Sequence, residues 1–286
     1  MTLLDNSRQI SVLVEGLDHP EGIAWGPDGY AYAGGEAGQI YRIDIEKRTV
    51  SQLASTGGFI LGLAFDGDGN LYACDLGKRC VQRVSPDGTV SVYSTGTRER
   101  PMFAPNYPGF DREGNLYVCD SGHWKADDGL IYRIRPGGAT EVWSTAATTF
   151  PNGLCLGPGG DYLYVAMSVD PPRVIRLRIN RDGSAGAPET VREFPGTVPD
   201  GLAFDVDGNL YMSCYRPDRI YRLTPGGKLD IVAEDWEGTL IACPTNIAFC
   251  GPKLDILLGA NLGRWHITRY DLGVKGLPLN YPKIAR

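Results

Sequence analysis

The chain has 286 residues, of which 42% are hydrophobic and 22% charged, and its formal net charge at pH 7 is −6. This acidic balance argues against a nucleic-acid partner, and the sequence offers no run of 18 apolar residues that would span a membrane. Residues 1–9 lack the apolar core of a signal peptide. The seven cysteines lack Cys-x-x-Cys spacing, so we expect buried free thiols in a cytoplasmic protein.

One pattern recurs six times along the chain. Each unit has a short opening, an apolar strand, a tight turn, a second strand, and a third strand that carries an arginine. In chain order, the openings are Pro20-Glu21-Gly22, Ile60-Leu61-Gly62, Pro105-Asn106-Tyr107, Pro151-Asn152-Gly153, Pro199-Asp200-Gly201 and Pro244-Thr245-Asn246. Their middle residues follow one another at steps of 40, 45, 46, 48 and 45 residues. A period of this length with several strands per unit is typical of a β-propeller.

The elements after each opening have the character of β-strands. The first apolar runs are Ile23-Ala24-Trp25, Leu63-Ala64-Phe65, Gly109-Phe110, Leu154-Cys155-Leu156, Leu202-Ala203-Phe204 and Ile247-Ala248-Phe249. Turns such as Asp28-Gly29, Asp68-Gly69 and Asp207-Gly208 then link antiparallel strands. The third strands carry Arg42, Arg83, Arg133, Arg176, Arg222 and Arg269. Because these arginines recur so regularly, we expect them to support the scaffold.

The repeats predict an all-β fold, a six-bladed β-propeller with four-stranded antiparallel blades, that occupies residues 1–286 as a single domain. The sixth unit lacks a fourth strand, because Gly273 is followed by a tail that contains proline. The segment from Gln9 to Glu15 alternates apolar and polar residues. We therefore expect this N-terminal segment to supply the missing strand and to close the ring, which would otherwise keep unpaired edges.

The polar residues of the openings predict a metal site. A propeller brings equivalent positions of its blades together around one axis, so Glu21, Asn106, Asn152 and Asp200 are expected to face one another. Two carboxylates and two amide oxygens are hard ligands that suit one divalent cation. Ca²⁺ is the expected ion, and Mg²⁺, Mn²⁺ and Zn²⁺ are alternatives. Each residue alone is an ordinary turn residue, so the prediction depends on the four sharing one register.

These motifs resemble those of the senescence marker protein (regucalcin)/gluconolactonase family. The resemblance rests on Pro20-Glu21-Gly22, on Asn106 followed five residues later by Asp111, on Pro151-Asn152-Gly153-Leu154, and on Pro199-Asp200-Gly201-Leu202. It implies a six-bladed β-propeller hydrolase that holds one divalent metal and opens sugar lactones or related cyclic esters.

The same likeness assigns roles to single residues. Glu21, Asn152 and Asp200 match the metal ligands, and Asn106 matches a residue that contacts substrate in some members and the metal in others. The chain departs from the sugar-lactonase pattern at Ala104, where those members tend to place an arginine for the sugar. This departure weakens the expectation of an aldonolactone substrate and leaves the metal site intact.

Within this site, Asp200 is the candidate catalytic residue, because a ligand carboxylate can also accept the proton of an attacking water. Candidate substrate-binding residues are Asn106, His123, Trp124 and His266, whose loops are expected to surround the mouth of the ring. Each histidine also has an ordinary structural interpretation as a residue that bonds to a strand or to backbone. His19 precedes Pro20-Glu21 and is a candidate for orienting the glutamate.

The sequence thus predicts a metal-dependent lactonase-type hydrolase that acts on a small-molecule lactone or ester. Two alternatives stay open: a phosphotriester hydrolase with the same kind of metal site, and a non-enzymatic propeller that serves as a binding module. No Gly-x-Ser-x-Gly motif supports a serine hydrolase, and no Cys/His cluster has zinc spacing. P-loop and dinucleotide-binding motifs are also missing. The sequence leaves the oligomeric state open.

Overall fold

The computed structural model describes residues 2–5 and 8–284, and these residues form six four-stranded antiparallel β-sheets. The described residues contain no helix, and so none that is long and apolar enough to cross a membrane. The predicted six-bladed β-propeller is therefore confirmed.

The strands follow the predicted repeats in chain order. The chain starts with β1 (Ile10–Glu15). Blade 1 contains β2 (Ile23–Trp25), β3 (Ala31–Gly34), β4 (Gln39–Asp44) and β5 (Thr49–Ser55). Blade 2 contains β6 (Ile60–Phe65), β7 (Leu71–Asp75), β8 (Cys80–Val84) and β9 (Val90–Ser94). Blade 3 contains β10 (Pro105–Phe110), β11 (Leu116–Asp120), β12 (Leu130–Ile134) and β13 (Thr140–Ser144).

The second half of the ring repeats this arrangement. Blade 4 contains β14 (Pro151–Leu156), β15 (Tyr162–Met167), β16 (Arg173–Ile179) and β17 (Ala185–Glu193). Blade 5 contains β18 (Val198–Phe204), β19 (Leu210–Arg216), β20 (Arg219–Leu223) and β21 (Leu229–Glu234). Blade 6 contains β22 (Pro244–Cys250), β23 (Ile256–Asn261) and β24 (His266–Tyr270).

The N-terminal strand completes blade 6. β1 pairs with β24 in antiparallel fashion, with Ile10 opposite Tyr270 and Glu15 opposite His266. The sheet order is therefore β1-β24-β23-β22, with β1 as its outer strand. Leu13 of β1 is buried in the apolar core between blades 6 and 1. The predicted closure by residues 9–15 is confirmed for Ile10–Glu15.

The first strands of the six blades line the axis of the propeller. Each contacts the first strands of both neighbouring blades, and the contact between β2 and β22 closes the ring. A separate apolar cluster fills each interface between blades. Burying such side chains stabilises the fold by roughly 1.5–3 kcal/mol each for Val, Leu, Ile or Phe. The packing fixes where each first strand begins, and so where the polar opening residues lie.

Side-chain bonds within the blades secure the turns and outer strands. Asp66 illustrates the turns: its Oδ1 accepts hydrogen bonds from the backbone N–H groups of Asp68 and Asn70. Five of the six third-strand arginines pair with acidic residues, as in the 2.7 Å ion pair between Arg133 and Glu141. These contacts agree with the predicted scaffold role of the arginines.

Candidate metal centre

Backbone irregularities place the opening residues at one end of the central channel. In β14 the pairing register shifts so that Asn152 and Gly153 together oppose one residue of β15. β10 and β18 shift in the same way around Asn106 and Asp200. Such bulges bend a strand and re-aim the side chain that they contain. In a regular strand, side chains alternate between the two faces, and every second one would be buried between blades. The repeated bulge interrupts this alternation at Asn106, Asn152 and Asp200.

Glycines beside the opening residues allow neighbouring first strands to approach closely. A Cβ atom on Gly153 would overlap the carbonyl oxygen of Asp200 in the next blade. A Cβ atom on Gly22 would likewise overlap the carbonyl oxygen of Leu61. Glycine is required at these positions because the backbones leave no room for a side chain. The close approach draws the ring positions of adjacent blades together.

Asn152 and Asp200 are in direct contact. Asn152 Nδ2 donates a hydrogen bond to Asp200 Oδ2 over 3.2 Å, and both residues are buried. The other carboxylate oxygen, Asp200 Oδ1, is buried without a hydrogen-bond partner. An unpaired buried acceptor costs about 1–3 kcal/mol, and more when it is charged. The site therefore has an oxygen that is available to a ligand.

Burial and nearby negative charge disfavour the charged forms of the Glu21 and Asp200 carboxyl groups. Burial raises the pKa of Asp200 well above its ordinary value, the charge of Glu21 raises it further, and the hydrogen bond from Asn152 opposes the shift. Burial also raises the pKa of Glu21 to about 7, with an opposing hydrogen bond from Thr245 and a further upward contribution from Glu36. No lysine or arginine of the described chain contributes to either shift. Within the part of the chain that the structure describes, this pair therefore lacks a compensating positive charge.

A divalent cation fits this donor set. The two carboxylates carry the charge that would neutralise such an ion, and carboxylate and amide oxygens are ligands of Ca²⁺ and Mg²⁺. Asn106 is also buried, and its Nδ2 donates to Ser121 Oγ over 3.0 Å. The oxygen of its side-chain amide is therefore the atom that can bind a cation. Glu21, Asn152 and Asp200 would hold the ion, and Asn106 offers a fourth oxygen.

The predicted substrate residues His123 and Trp124 lie at the same end of the channel. Their loop follows β11, whose last residue pairs with Pro105 at the start of β10. His123 Nδ1 lies 2.7 Å from Asp128 Oδ2, and its ring centre is 4.0 Å from that of Phe103. Trp124 is 53% exposed. Both side chains are accessible at this rim, and their contact with substrate stays a prediction.

His266 has different surroundings. It is the first residue of β24 and is only 2% exposed. Its Nε2 lies 3.0 Å from the carbonyl oxygen of Leu240 and 3.1 Å from Thr268 Oγ1. These bonds favour the structural interpretation, in which His266 ties β24 to the loop between β21 and β22, over the predicted contact with substrate.

A second group of polar residues near the mouth contains Asp18, His19 and Glu36, of which only His19 was a candidate from the sequence. His19 Nδ1 lies 2.9 Å from Asp18 Oδ1 and 2.8 Å from Glu36 Oε2. The His19 ring also packs on Trp265, with 4.4 Å between ring centres. The imidazole thus pairs with Asp18 and Glu36, whereas the sequence suggested that it would orient Glu21. Glu36 comes from the loop between β3 and β4, and no sequence motif links it to Glu21.

The opposite end of the channel is apolar. A cavity of about 230 Å³ lies there, lined by the last residues of the first strands and by residues 277–281 of the C-terminal tail. The tail is tied across this end by hydrogen bonds from Tyr281 Oη to the Trp25 carbonyl (2.6 Å) and from Leu277 N to the Phe204 carbonyl (2.8 Å). The polar opening residues Glu21, Asn106, Asn152 and Asp200 therefore lie at the end of the channel opposite this apolar cavity.

Solved structures of similar fold support this architecture. The chain is similar to a gluconolactonase from Xanthomonas campestris, with 20% identity, a TM-score of 0.79, and coverage of 93% of this chain and 89% of that chain. It is similar to a luciferin-regenerating enzyme, with 18% identity, a TM-score of 0.76, and coverage of 96% and 99%. It also resembles regucalcin, a calcium-binding protein from Agrobacterium tumefaciens, with 18% identity, a TM-score of 0.76, and coverage of 96% and 97%. These likenesses show the shared propeller fold.

Sequence comparison identifies the family. No match to this chain was found among curated protein sequences. A family model described as the SMP-30/Gluconolactonase/LRE-like region matches residues 1–103 and 89–258. The resemblance inferred from the opening motifs is thereby confirmed, and the chain belongs to the SMP-30/gluconolactonase/LRE-like family.

Proposed function

We propose that this protein is a metal-dependent lactonase whose cation, Ca²⁺ in the first instance, is held by Glu21, Asn152 and Asp200. The observation that carries the proposal is the pair formed by the half-buried Glu21 and the buried Asp200, which has no cationic partner among the described residues, together with the unpaired Oδ1 of Asp200. Family membership supports lactone hydrolysis as the class of reaction. The fold shared with a gluconolactonase and with a calcium-binding regucalcin agrees with both parts of the proposal.

The cation and the chain would divide the chemistry between them. A divalent cation at this site supplies Lewis-acid polarisation of the lactone carbonyl. Asp200 Oδ1, which has no hydrogen-bond partner, would bind the cation, and Asp200 Oδ2 would accept the proton of the attacking water. The hydrogen bond from Asn152 Nδ2 fixes the orientation of this carboxylate. Asp200 would therefore act as the general base while it remains a ligand.

The surroundings of Asn106 favour a substrate less hydrophilic than a free sugar lactone. Ala104 is buried, its N–H donates to Asp120 Oδ1, and its carbonyl accepts from Ser121 N. A methyl group at this position offers no hydrogen bond to a sugar hydroxyl. The preceding residue is Phe103, which packs against His123. A lactone or cyclic ester with an apolar part suits the surface formed by Phe103 and Ala104 better than an aldonolactone does.

Metal analysis combined with a substrate panel tests the proposal. Purified protein is assayed on apolar γ- and δ-lactones, on glucono-δ-lactone and on a phosphotriester, before and after removal of metal with EDTA and after addition of Ca²⁺. We expect lactone turnover that is lost on chelation and restored by Ca²⁺, with the apolar lactones preferred. Faster turnover of the phosphotriester would contradict the lactonase assignment, and activity unaffected by chelation would contradict the metal site.

Two glutamate variants locate the cation. Glu21→Gln is expected to lose bound Ca²⁺ and lactone turnover, because a carboxylate ligand becomes a neutral amide. Glu36→Gln is the matched control: this exposed glutamate influences Glu21 only through its charge. It is expected to retain the ion. Loss of the ion from Glu36→Gln but not from Glu21→Gln would place the cation beside His19 instead.

A further inference from the structure

Ser168 joins one proposed ligand to the backbone of the next. It follows β15 and is only 1% exposed. Its Oγ donates a hydrogen bond to the carbonyl oxygen of Pro199 over 2.6 Å and accepts one from Asn152 Nδ2 over 3.3 Å. The Pro199 carbonyl belongs to the peptide bond that leads into Asp200. The hydroxyl therefore links the Asn152 side chain of blade 4 to the Asp200 backbone of blade 5.

Ser121 repeats this arrangement one blade earlier. It follows β11 as Ser168 follows β15, and it too is 1% exposed. Its Oγ donates to the carbonyl oxygen of Pro151 over 2.8 Å and accepts from Asn106 Nδ2 over 3.0 Å. Two independent blades thus place a buried hydroxyl between the amide of one ring asparagine and the first strand of the next blade.

The chemistry of a hydroxyl determines which way each amide faces. A serine hydroxyl has one proton, and a carbonyl oxygen can only accept. Because the proton is committed to the carbonyl of the next blade, the serine oxygen can act only as an acceptor toward the asparagine. It therefore selects the NH₂ side of the amide and turns the amide oxygen away. A cation requires that oxygen, since an amide NH₂ group is not a ligand for Ca²⁺.

We propose that Ser121 and Ser168 are positioning residues that orient the amide oxygens of Asn106 and Asn152 toward the cation. This inference rests on the proposed metal site, and it adds how the neutral ligands are held. Ser168 acts on Asn152 and, through the Pro199 carbonyl, fixes this ligand relative to Asp200. Partners that orient metal ligands commonly affect metal affinity about 10–100-fold.

Ser213 supplies a matched control in blade 5. It is fully buried, and its Oγ donates to the carbonyl oxygen of Thr245 in blade 6. The same oxygen accepts from the backbone N–H of Gly201 over 2.8 Å. Ser213 therefore also bridges two blades, but among residues 2–5 and 8–284 it forms no hydrogen bond with an asparagine amide. Its removal reproduces the loss of an inter-blade hydrogen bond beside Asp200 without freeing an asparagine amide.

The experiment compares the Ca²⁺ affinities of Ser168→Ala, Ser121→Ala and Ser213→Ala with that of the unchanged protein by isothermal titration calorimetry. Thermal unfolding without cation monitors stability separately. We expect the Kd for Ca²⁺ to rise about 10–100-fold in Ser168→Ala and at least about threefold in Ser121→Ala. In Ser213→Ala we expect the Kd for Ca²⁺ to change by less than about twofold, even if its melting temperature falls as much as that of the other variants.

The outcomes separate this inference from the proposed function. Unchanged Kd values in both Ser168→Ala and Ser121→Ala would overturn the positioning role and leave the metal site standing. A loss of affinity in Ser213→Ala equal to that in Ser168→Ala would also overturn it, because the effect would then follow inter-blade bonding in general. Failure of the unchanged protein to bind Ca²⁺, Mg²⁺ or Mn²⁺ would instead remove the metal site itself. If Ser168→Ala does not fold, Ser121→Ala decides the matter.

Discussion

Replacing Glu21 by glutamine is expected to make the cation-free protein more stable than the unchanged protein above pH 7. The pKa of Glu21 is raised from 4.5 to about 7, chiefly by burial. Between these two values the folded protein holds a proton that the unfolded chain releases. The free energy of unfolding must therefore fall as pH rises through this window.

The pKa shift of Glu21 determines how far the free energy of unfolding falls. One pKa unit corresponds to about 1.4 kcal/mol, so the shift of Glu21 costs the cation-free fold roughly 3 kcal/mol once the residue is ionised. The cost is absent below pH 4.5 and complete somewhat above pH 7. Asp200 contributes in the same direction, because its pKa is also raised. Glu21→Gln removes the Glu21 contribution and lessens that of Asp200, since the repelling charge is gone.

Denaturation with urea in the presence of EDTA, from pH 4.5 to pH 8, measures this difference. The unchanged protein is expected to lose stability with rising pH relative to Glu21→Gln, until the variant is more stable by about 3 kcal/mol at pH 8. Glu99→Gln serves as the control, because Glu99 is exposed. With saturating Ca²⁺ the unchanged protein should recover this stability, and Glu21→Gln should recover little.

Parallel stability profiles for the unchanged protein and Glu21→Gln, within about 0.5 kcal/mol across the range, would refute the reasoning. Such a result would mean that the Glu21 carboxyl is hydrated in the folded protein. The charge repulsion on which the cation site depends would then be absent.

Three further predictions concern the carboxylate of Asp200, the close approach of blades at Gly153 and the closing strand β1. Asp200→Asn should lower lactone turnover at least about 100-fold, since it replaces a charged ligand with a neutral amide and removes the proton acceptor. Undiminished turnover with metal content intact would exclude this role. Gly153→Ala should lower the free energy of unfolding by about 1–3 kcal/mol or more, because its Cβ would overlap the neighbouring blade. Gly226→Ala should be nearly neutral in the same denaturation assay, because the added Cβ would lie 3.9 Å from Thr224 Oγ1. Equal losses of stability in the two glycine variants would contradict this packing argument. Leu13→Ala should cost about 2–5 kcal/mol because it empties part of the core under β1. In the same assay Val92→Ala, at a position 59% exposed, should cost about 0.5 kcal/mol or less, and a similarly small loss for Leu13→Ala would mean that β1 does not hold the ring closed.

The repeat pattern predicted the propeller because each blade carries its own signals of turn and strand. The closing strand was predictable as well, since the sixth unit lacks a fourth strand and the segment before Glu15 alternates. Blade 3 shows where such signals fail. Only Gly109-Phe110 appeared as a first strand, whereas β10 begins at Pro105. The bulge at Asn106 interrupts the alternation of side chains, so the pattern hides the start of the strand.

The positions of the candidate ligands were predictable, but the groups that surround them were not. Glu21, Asn152 and Asp200 share a register that the sequence displays directly. The hydroxyl of Ser168 matters because it reaches a carbonyl in the next blade, and the spacing of residues within one repeat does not reveal that contact. Glu36 affects Glu21 from a different loop. Such contacts depend on how blades pack side by side, which a one-dimensional pattern does not contain.

The proposed function requires a divalent cation at the axis of the propeller. Anomalous diffraction from crystals of the protein with Mn²⁺ tests it most directly. We expect one strong peak within about 2.0–2.6 Å of oxygens of Glu21, Asn152 and Asp200. A peak confined to Asp18, His19 and Glu36, or no peak at the axis in protein that binds Mn²⁺ in solution, would contradict it.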